Sequence, residues 1–172
     1  LLVRTTGEHR DAAPRSSGWT RHAPLALSLV TALLVTQADY LWANSIRDTA
    51  EDLAQRYERP GRRLWIRGHW GFQWYLEARG ARHLEVSSTR LIPNDCILVA
   101  AELDGQGNPP MGSFAVAEQP EVPAAPYCAT MCARSGAGFY SSLWGPLPFV
   151  LGPVPPKRYE VWLVTKGHGF GK

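Results

Sequence analysis

The sequence predicts an α/β fold in which an N-terminal transmembrane helix precedes a small domain. That domain is expected to have a three-layer, mostly parallel sheet and long loops rich in proline and glycine. Three observations support this class. Residues 23–38 contain no charged side chain, residues 64–79 have the pattern strand, glycine-bracketed turn, helix, and residues 96–101 (CILVAA) are apolar throughout. A short apolar run of this kind is typical of a strand buried on both faces.

Length and charge restrict the possible functions. The 172 residues suffice for one domain with its own core. The formal net charge is only +3, and the basic residues are scattered along the chain. Because nucleic-acid binding proteins normally carry a basic stripe, we expect no nucleic-acid partner.

The apolar run has the properties of a membrane span. Together with residues 40–43 it is interrupted only by Asp39, and about 20 residues are needed to cross a bilayer as a helix. Pro24 would occupy the tolerated first turn. Tyr40 and Trp42 fall where an aromatic belt at the membrane interface is expected. The predicted organisation is a polar loop or tail (1–22), a transmembrane helix (23–43), an extracytoplasmic α/β domain (44–166) and a tail (167–172).

Orientation follows from the arginines that precede the run. Positive residues favour the cytoplasmic side, so we expect a cell inner membrane protein whose C-terminal domain is periplasmic or extracellular. Two alternatives stay open. One is a cleavable signal peptide with a poor small-residue cleavage site at residues 36–38, and the other is a buried helix of a soluble protein.

A second helical pattern follows at residues 43–57. Ile46, Ala50, Leu53, Ala54 and Tyr57 share one helical face. Neither proline nor glycine occurs between Pro24 and Tyr57, so one continuous helix is expected. The sequence at residues 59–61, Arg-Pro-Gly, would end it.

The remaining elements follow from local patterns. A strand, a helix and two further strands imply a right-handed crossover and a largely parallel sheet. Residues 103–126 are too rich in proline and glycine for much regular structure, residues 127–134 suit one or two helical turns, and residues 166–172 read as a loose tail. The predicted segments are a strand at 64–67, a helix at 72–79, and strands at 83–86, 96–101 and 159–165.

The carboxyl end of the first strand is the predicted ligand site. Ligands of α/β units tend to bind there, glycines let the backbone approach a ligand, and the following helix offers free N–H groups to an anion. A phosphate or carboxylate is the expected ligand. The alternative is that His69 and Trp70 only close the end of the sheet. The candidate binding residues are Arg67, Gly68, His69, Trp70 and Gly71.

Catalytic and metal signatures are missing from the sequence. It contains no P-loop, no G-x-G-x-x-G and no G-x-S-x-G motif, so no catalytic residue and no cofactor is predicted. The spacing of Cys128 and Cys132 matches no common zinc pattern, so no metal site is predicted. A disulfide between them and free structural cysteines both stay open, and Cys96 is expected in the core.

An aromatic loop at residues 139–150 is a further candidate surface. Trp144 and Phe149 would contact lipid or a neighbouring helix as membrane-interface residues. The alternative is a loop folded back over the core.

Two stretches, ADYLWANSIRDTAEDLAQRY and LWIRGHWGFQWYLEARGA, resemble a known family. They are similar to the last transmembrane helix and C-terminal extracytoplasmic domain of bacterial family-39-like, protein-mannosyltransferase-like membrane glycosyltransferases. PNDCILVA and LWGPLPFVLGPVPPKRYEVWLV look like later parts of that domain, and the resemblance covers about residues 20–165.

The resemblance implies an accessory role. Such enzymes transfer a sugar from a lipid-phosphate donor, and their catalytic carboxylate lies in an early extracytoplasmic loop that no residue here matches. The implied partners are the lipid bilayer and the remaining transmembrane bundle of a larger protein. The rival hypotheses are a stand-alone membrane-anchored module that binds a small anion or sugar phosphate, and a soluble α/β protein.

Overall fold

The computed structural model describes residues 18–85, 88–101 and 113–169. The chain divides into two compact units, Leu1–Leu34 and Val35–Lys172. In chain order the elements are α1 (Gly18–Tyr57), β1 (Leu64–Arg67), α2 (Trp70–Glu77), β2 (Arg82–His83), β3 (Arg90–Leu91), β4 (Cys96–Ala100), β5 (Phe114–Glu118), β6 (Glu121–Val122), β7 (Cys128–Ala129), β8 (Met131–Cys132), a 3₁₀ turn (Ala133–Ser135), β9 (Ala137–Gly138), β10 (Val150–Leu151), β11 (Lys157–Val164) and β12 (His168–Gly169).

The described part of the first unit is helical. The helix α1 begins at Gly18, before the predicted start at residue 23, so Pro24 lies inside the helix and not in its first turn. The predicted polar loop (1–22) otherwise falls outside the described residues. Large apolar side chains of this segment, such as Leu25, Leu29 and Leu33, are exposed. By length and composition α1 is a candidate membrane span, and only 6% of its most apolar window is buried.

The second unit is built on the C-terminal half of α1. Ile46, Ala50, Leu53 and Ala54 are buried, and Tyr57 packs against the same cluster. The predicted apolar face of residues 43–57 is therefore confirmed. Burying each large aliphatic side chain contributes about 1.5–3 kcal/mol relative to exposure.

A strand–helix–strand unit follows α1. β1 has the predicted bounds, whereas α2 begins two residues earlier than expected and buries Phe72 and Leu76. β2 pairs with β1 in parallel and covers only residues 82–83 of the described chain. Gly80, with φ 85°, separates the helix from β2, as expected of a helix C-terminus.

The sheet is mixed, and the prediction of a mostly parallel sheet is wrong. The strand order is β2-β1-β4-β11-β5, with β6 also paired to β11. β1 is parallel to β2 and β4, but β11 runs antiparallel to β4, β5 and β6. A parallel neighbour requires a crossover, usually helical, and no α-helix occurs among the described residues between β4 and β11.

The sheet has two apolar faces. α1 and α2 pack on one face, and neither contributes a residue to the cluster on the other face among the residues that the structure describes. The predicted three-layer arrangement is therefore not seen in this part of the chain. The second cluster consists of Trp65, Leu84, Leu91, Ile97, Val99, Trp162 and Val164, with Phe114 against it.

Three segments predicted to be irregular or helical form strands. β5 and β6 lie within residues 103–126 and pair with the edge of β11, so long-range pairing overrides the local composition; residues 102–112 lie outside the description. Residues 127–134 contain β7 and β8, not α-helical turns, because they pair with β10 and β9. β12, in the predicted tail, pairs with β3. Among the three buried cysteines none forms a disulfide.

A buried carboxylate joins the amino ends of β1 and β4. Asp95 accepts hydrogen bonds from Arg63 (Nε 2.9 Å, a second guanidinium nitrogen 2.6 Å), Trp65 Nε1 (3.1 Å) and the Ile92 amide (2.9 Å). Buried polar groups of this kind are costly to leave without partners. This network therefore fixes the register of the two strands at the edge opposite the predicted site.

Replacement of this carboxylate should destabilise the domain. Asp95→Ala leaves three donors without their acceptor, and we expect the free energy of unfolding to fall by about 2–4 kcal/mol. Asp48→Ala is the control, because the Asp48–Arg47 pair is exposed and should contribute less than about 1 kcal/mol. Urea unfolding of both variants, followed by tryptophan fluorescence, measures the difference. Equal losses would contradict the role assigned to Asp95.

Candidate functional site

A cavity lies at the sheet edge where β1 and β4 end and β11 begins. Its volume is about 30 Å³, enough for a single water molecule. The lining comes from α1, the β1–α2 turn, the two neighbouring strands and the aromatic loop. The lining residues are Trp42, Ile46, His69, Trp70, Gly71, Phe72, Ala100, Trp144, Lys157, Arg158 and Tyr159.

The strand order explains why a cavity forms here. β1 lies between β2 and β4, so the chain moves to one side of β1 through α2 and later returns on its other side. Crevices at such switch points are the usual ligand sites of α/β sheets. Of the five residues predicted from the sequence, His69, Trp70 and Gly71 line this cavity.

A larger groove adjoins the cavity and shares Trp42, Ile46, Trp70 and Gly71 with it. Its volume is about 440 Å³, within the usual range of about 300–1,000 Å³ for small-molecule sites. We call the cavity and this space together the aromatic groove. The remaining lining residues of the larger part are Ala43, Tyr75, Met131, Tyr140 and Ser141.

Trp70 is the most unusual residue of the groove. Its φ of 58° is in the left-handed region, which costs an L-residue about 1–2 kcal/mol. The indole is 50% exposed and lies against the buried Trp144 in a tilted arrangement, with ring centroids 5.8 Å apart. Strained backbone at a bulky residue is found mostly at functional sites.

The turn before Trp70 depends on a close backbone approach. Gly68 has φ 155°, and a Cβ atom there would lie 3.3 Å from the Ala100 Cβ and 3.5 Å from Phe72 Cδ1. A Cβ atom at this position would therefore crowd Ala100, which would have to move by a few tenths of an ångström, whereas its contact with Phe72 would be an ordinary one. Glycine allows the turn to stay close to the sheet.

Lys157 supplies a positive charge inside the groove. Only 7% of the residue is exposed, and its Nζ lies 3.9 Å from the centroid of the Trp42 ring. The ammonium also donates a long hydrogen bond to the Trp42 carbonyl, 3.5 Å away. A cation held over an indole is stabilised by the ring's negative face, which keeps this buried charge beside the cavity.

Trp42 also carries an unsatisfied donor. Its Nε1 atom is buried and makes no hydrogen bond to any residue in the part of the chain that the structure describes. Buried polar atoms are nearly always paired in folded proteins. Trp42, which lines the groove, therefore carries a buried donor that the described residues leave unsatisfied.

His69 and Arg67 lie apart. His69 is exposed, precedes α2 without a capping hydrogen bond from its side chain, and stacks near His83 with ring centroids 6.0 Å apart. Arg67 instead lies over the Trp162 ring, 5.4 Å from its centroid, on the second face of the sheet. The expected pairing of Arg67 and His69 around one anion is therefore not seen, because Arg67 alternates with the core residue Ile66.

The predicted membrane-interface residues occupy different environments. Tyr40 is exposed, whereas Trp144 is buried, as expected of a loop folded over the core. Phe149 is half-buried in a cluster with Val35 and Ala38. Trp42 is also half-buried, under Lys157.

Asp39 is a site residue that the sequence analysis treated only as an interruption of the apolar run. Its carboxylate accepts hydrogen bonds from Tyr140 Oη (2.6 Å) and Thr130 Oγ1 (3.1 Å). The hydrogen bond to Asp39 raises the pKa of Tyr140. A single acid inside an apolar helix was the signal available in the sequence, but its partners are about a hundred residues away.

No group of three His, Cys, Asp or Glu side chains that could hold a metal ion occurs among the described residues. Burial raises the pKa of the Cys96 thiol to about 12, so it is not a nucleophile at neutral pH. No protein-family model, curated protein or solved structure matches the chain.

The geometry of the β1–α2 turn predicts that replacing either of two glycines by alanine has very different effects on stability. Gly68→Ala combines an unfavourable φ with crowding and should lower the free energy of unfolding by about 1–3 kcal/mol. Gly71→Ala is the matched control, because its Cβ would make an ordinary 3.6 Å contact with Ile46 and the helix gains a better helix former. Thermal unfolding in detergent compares them, and a Gly68→Ala variant as stable as Gly71→Ala would contradict this account of the turn.

Proposed function

We propose that this chain is a membrane-anchored extracytoplasmic domain that binds a small ligand in the aromatic groove. The observation that carries the proposal is the groove itself. Three indoles, a buried ammonium and an unpaired indole N–H meet at the carboxyl edge of the sheet. Pockets of mainly aromatic lining with a few polar groups are typical ligand sites.

The exposed apolar segment of α1 supports anchoring over the two alternatives. A core helix of a soluble protein would bury the leucines that are exposed here. Cleavage of a signal peptide after Ala38 would cut within α1, at a residue that is 1% exposed in the cluster of Phe149. We therefore propose a helix retained in the cell inner membrane, with the domain on the periplasmic or extracellular side.

The proposed ligand combines a ring with an apolar face and one anionic group, as in a sugar phosphate. The exposed face of Trp70 offers a stacking surface. Lys157, held over the Trp42 ring, contributes positive charge to the cavity lining, and Arg158 of the same lining is paired with Glu121 at 2.8 Å. A bare anion would leave most of the apolar lining without contact.

The resemblance to family-39-like membrane glycosyltransferases supports an accessory role in a larger protein. In that proposal the catalytic carboxylate and the lipid-phosphate donor site belong to the rest of the larger protein, and this domain covers its transmembrane bundle or contacts the acceptor.

Ligand titration tests the binding function. We expect the purified full chain in detergent to bind glucose 1-phosphate more tightly than inorganic phosphate or glucose alone, measured by isothermal titration calorimetry. Trp70→Ala should weaken binding about tenfold or more, as for a central aromatic contact. Trp74→Ala is the matched control, because Trp74 is on the same helix, is 71% exposed and does not line the groove.

Two results would count against this function. One is the absence of binding by all three compounds to the folded chain. The other is an equal effect of Trp70→Ala and Trp74→Ala. Lys157→Gln distinguishes the contribution of the phosphate from that of the sugar ring. It should weaken the binding of glucose 1-phosphate and leave the binding of glucose unchanged.

A further inference from the structure

Residues 139–144 form a closed loop, which we call the tip loop. Its two ends meet through backbone hydrogen bonds from the Gly138 amide to the Leu147 carbonyl (2.7 Å) and from the Leu147 amide to the Gly136 carbonyl (3.1 Å). Gly145 touches the Gly136 backbone so closely that no Cβ atom would fit. Trp144 is buried beside this crossing and fixes the loop to Trp70.

The tip loop exposes apolar side chains although it is well connected to the domain. Leu143 is 90% exposed, and Phe139 and Tyr140 are more than half exposed. A charged side chain is absent from the whole of residues 135–156. Contiguous exposed apolar surface marks a contact with a partner or a membrane.

Contacts with α1 locate the tip loop. Tyr140 Oη donates to Asp39 at 2.6 Å, and the Phe139 amide donates to the Thr130 carbonyl at 2.9 Å while the Thr130 hydroxyl also binds Asp39. Phe149 packs in the cluster of Val35 and Ala38. The loop therefore lies beside residues 35–39 of α1, which belong to the predicted span at 23–43.

We propose that the tip loop inserts Phe139 and Leu143 into the outer leaflet, with Tyr140 at the membrane surface, as a second membrane contact beside α1. This inference rests on the membrane anchoring in the proposed function. Trp144 and Phe149 are not the inserted residues, because they pack within the domain. The exposed Tyr40 on α1 lies one residue from Asp39 along the helix, at a similar depth.

Two features favour lipid over a protein as the occupant. The rim of a protein interface is polar, but residues 135–156 are uncharged. Aromatic residues and leucine beside the end of a membrane span are the side chains that settle at the boundary of headgroups and acyl chains. Insertion also places Tyr140 and Ser141, which line the groove, at the membrane surface.

Site-specific fluorescence tests the insertion. Single variants Leu143→Cys, Ile92→Cys and Leu33→Cys of the full chain are labelled with an environment-sensitive fluorophore, since the native cysteines are buried. The chain is reconstituted in phosphatidylcholine nanodiscs with doxyl-labelled lipid. Ile92 is the matched control, because it is exposed near Asp95 at the opposite edge of the sheet. Doxyl lipid should quench the label at 143 about twofold or more and leave the label at 92 unaffected.

The label at residue 33 separates the two proposals. Quenching at both 33 and 143 supports insertion, whereas quenching at 33 alone overturns insertion and leaves the anchor in place. Absence of quenching at both positions overturns the anchor and the insertion together. A label at 143 that neither doxyl lipid nor aqueous iodide reaches indicates a protein occupant and also overturns the proposal.

Discussion

Burial of one face of α1 against the sheet is the interaction on which the second unit depends. Leu53 and Ala54 close the core over β1 and β4, and this contact fixes residues 46–57 of the helix relative to those strands. Residues about three to four turns earlier then acquire their partners. Trp42 meets Lys157 at the start of β11, and Asp39 reaches Tyr140. The aromatic groove is therefore a consequence of how the helix docks, as much as of the β1–α2 turn.

Local sequence patterns predict an element correctly where that element is buried along its own length. The bounds of β1, the apolar face of residues 46–57 and the strand at β4 follow from periodicity and apolar runs, which report burial directly. The antiparallel half of the sheet cannot be predicted from such local patterns. β5 pairs with residues 161–164, which lie beyond β6 to β10 in the chain, and β7 to β10 are each two residues long, too short for any period to appear. Their structure is determined by partners distant in sequence.

Local sequence patterns likewise predict one part of the candidate site, its position, but not the side chains that line it. Its position follows from the glycines around His69 and from the general behaviour of α/β sheets. Lys157, Trp42 and Tyr140 arrive from three other elements, and no spacing within the sequence connects them. The location of Arg67 could have been predicted from the sequence, because side chains alternate along β1 and Arg67 must therefore lie on the face opposite the core residue Ile66. Asp39 is the link between groove and tip loop, since it holds the loop that forms one wall.

The central claim is that α1 holds this domain on the outer side of the membrane, with the groove beside the point where the helix enters the lipid. A topology reporter tests it most directly. Alkaline phosphatase, which is active only outside the cytoplasm, and a green fluorescent protein that folds only inside it are each fused after Lys172 of the full chain in a bacterial host. The account predicts phosphatase activity in the membrane fraction and a dark fluorescent fusion. Bright cytoplasmic fluorescence with inactive phosphatase would contradict it.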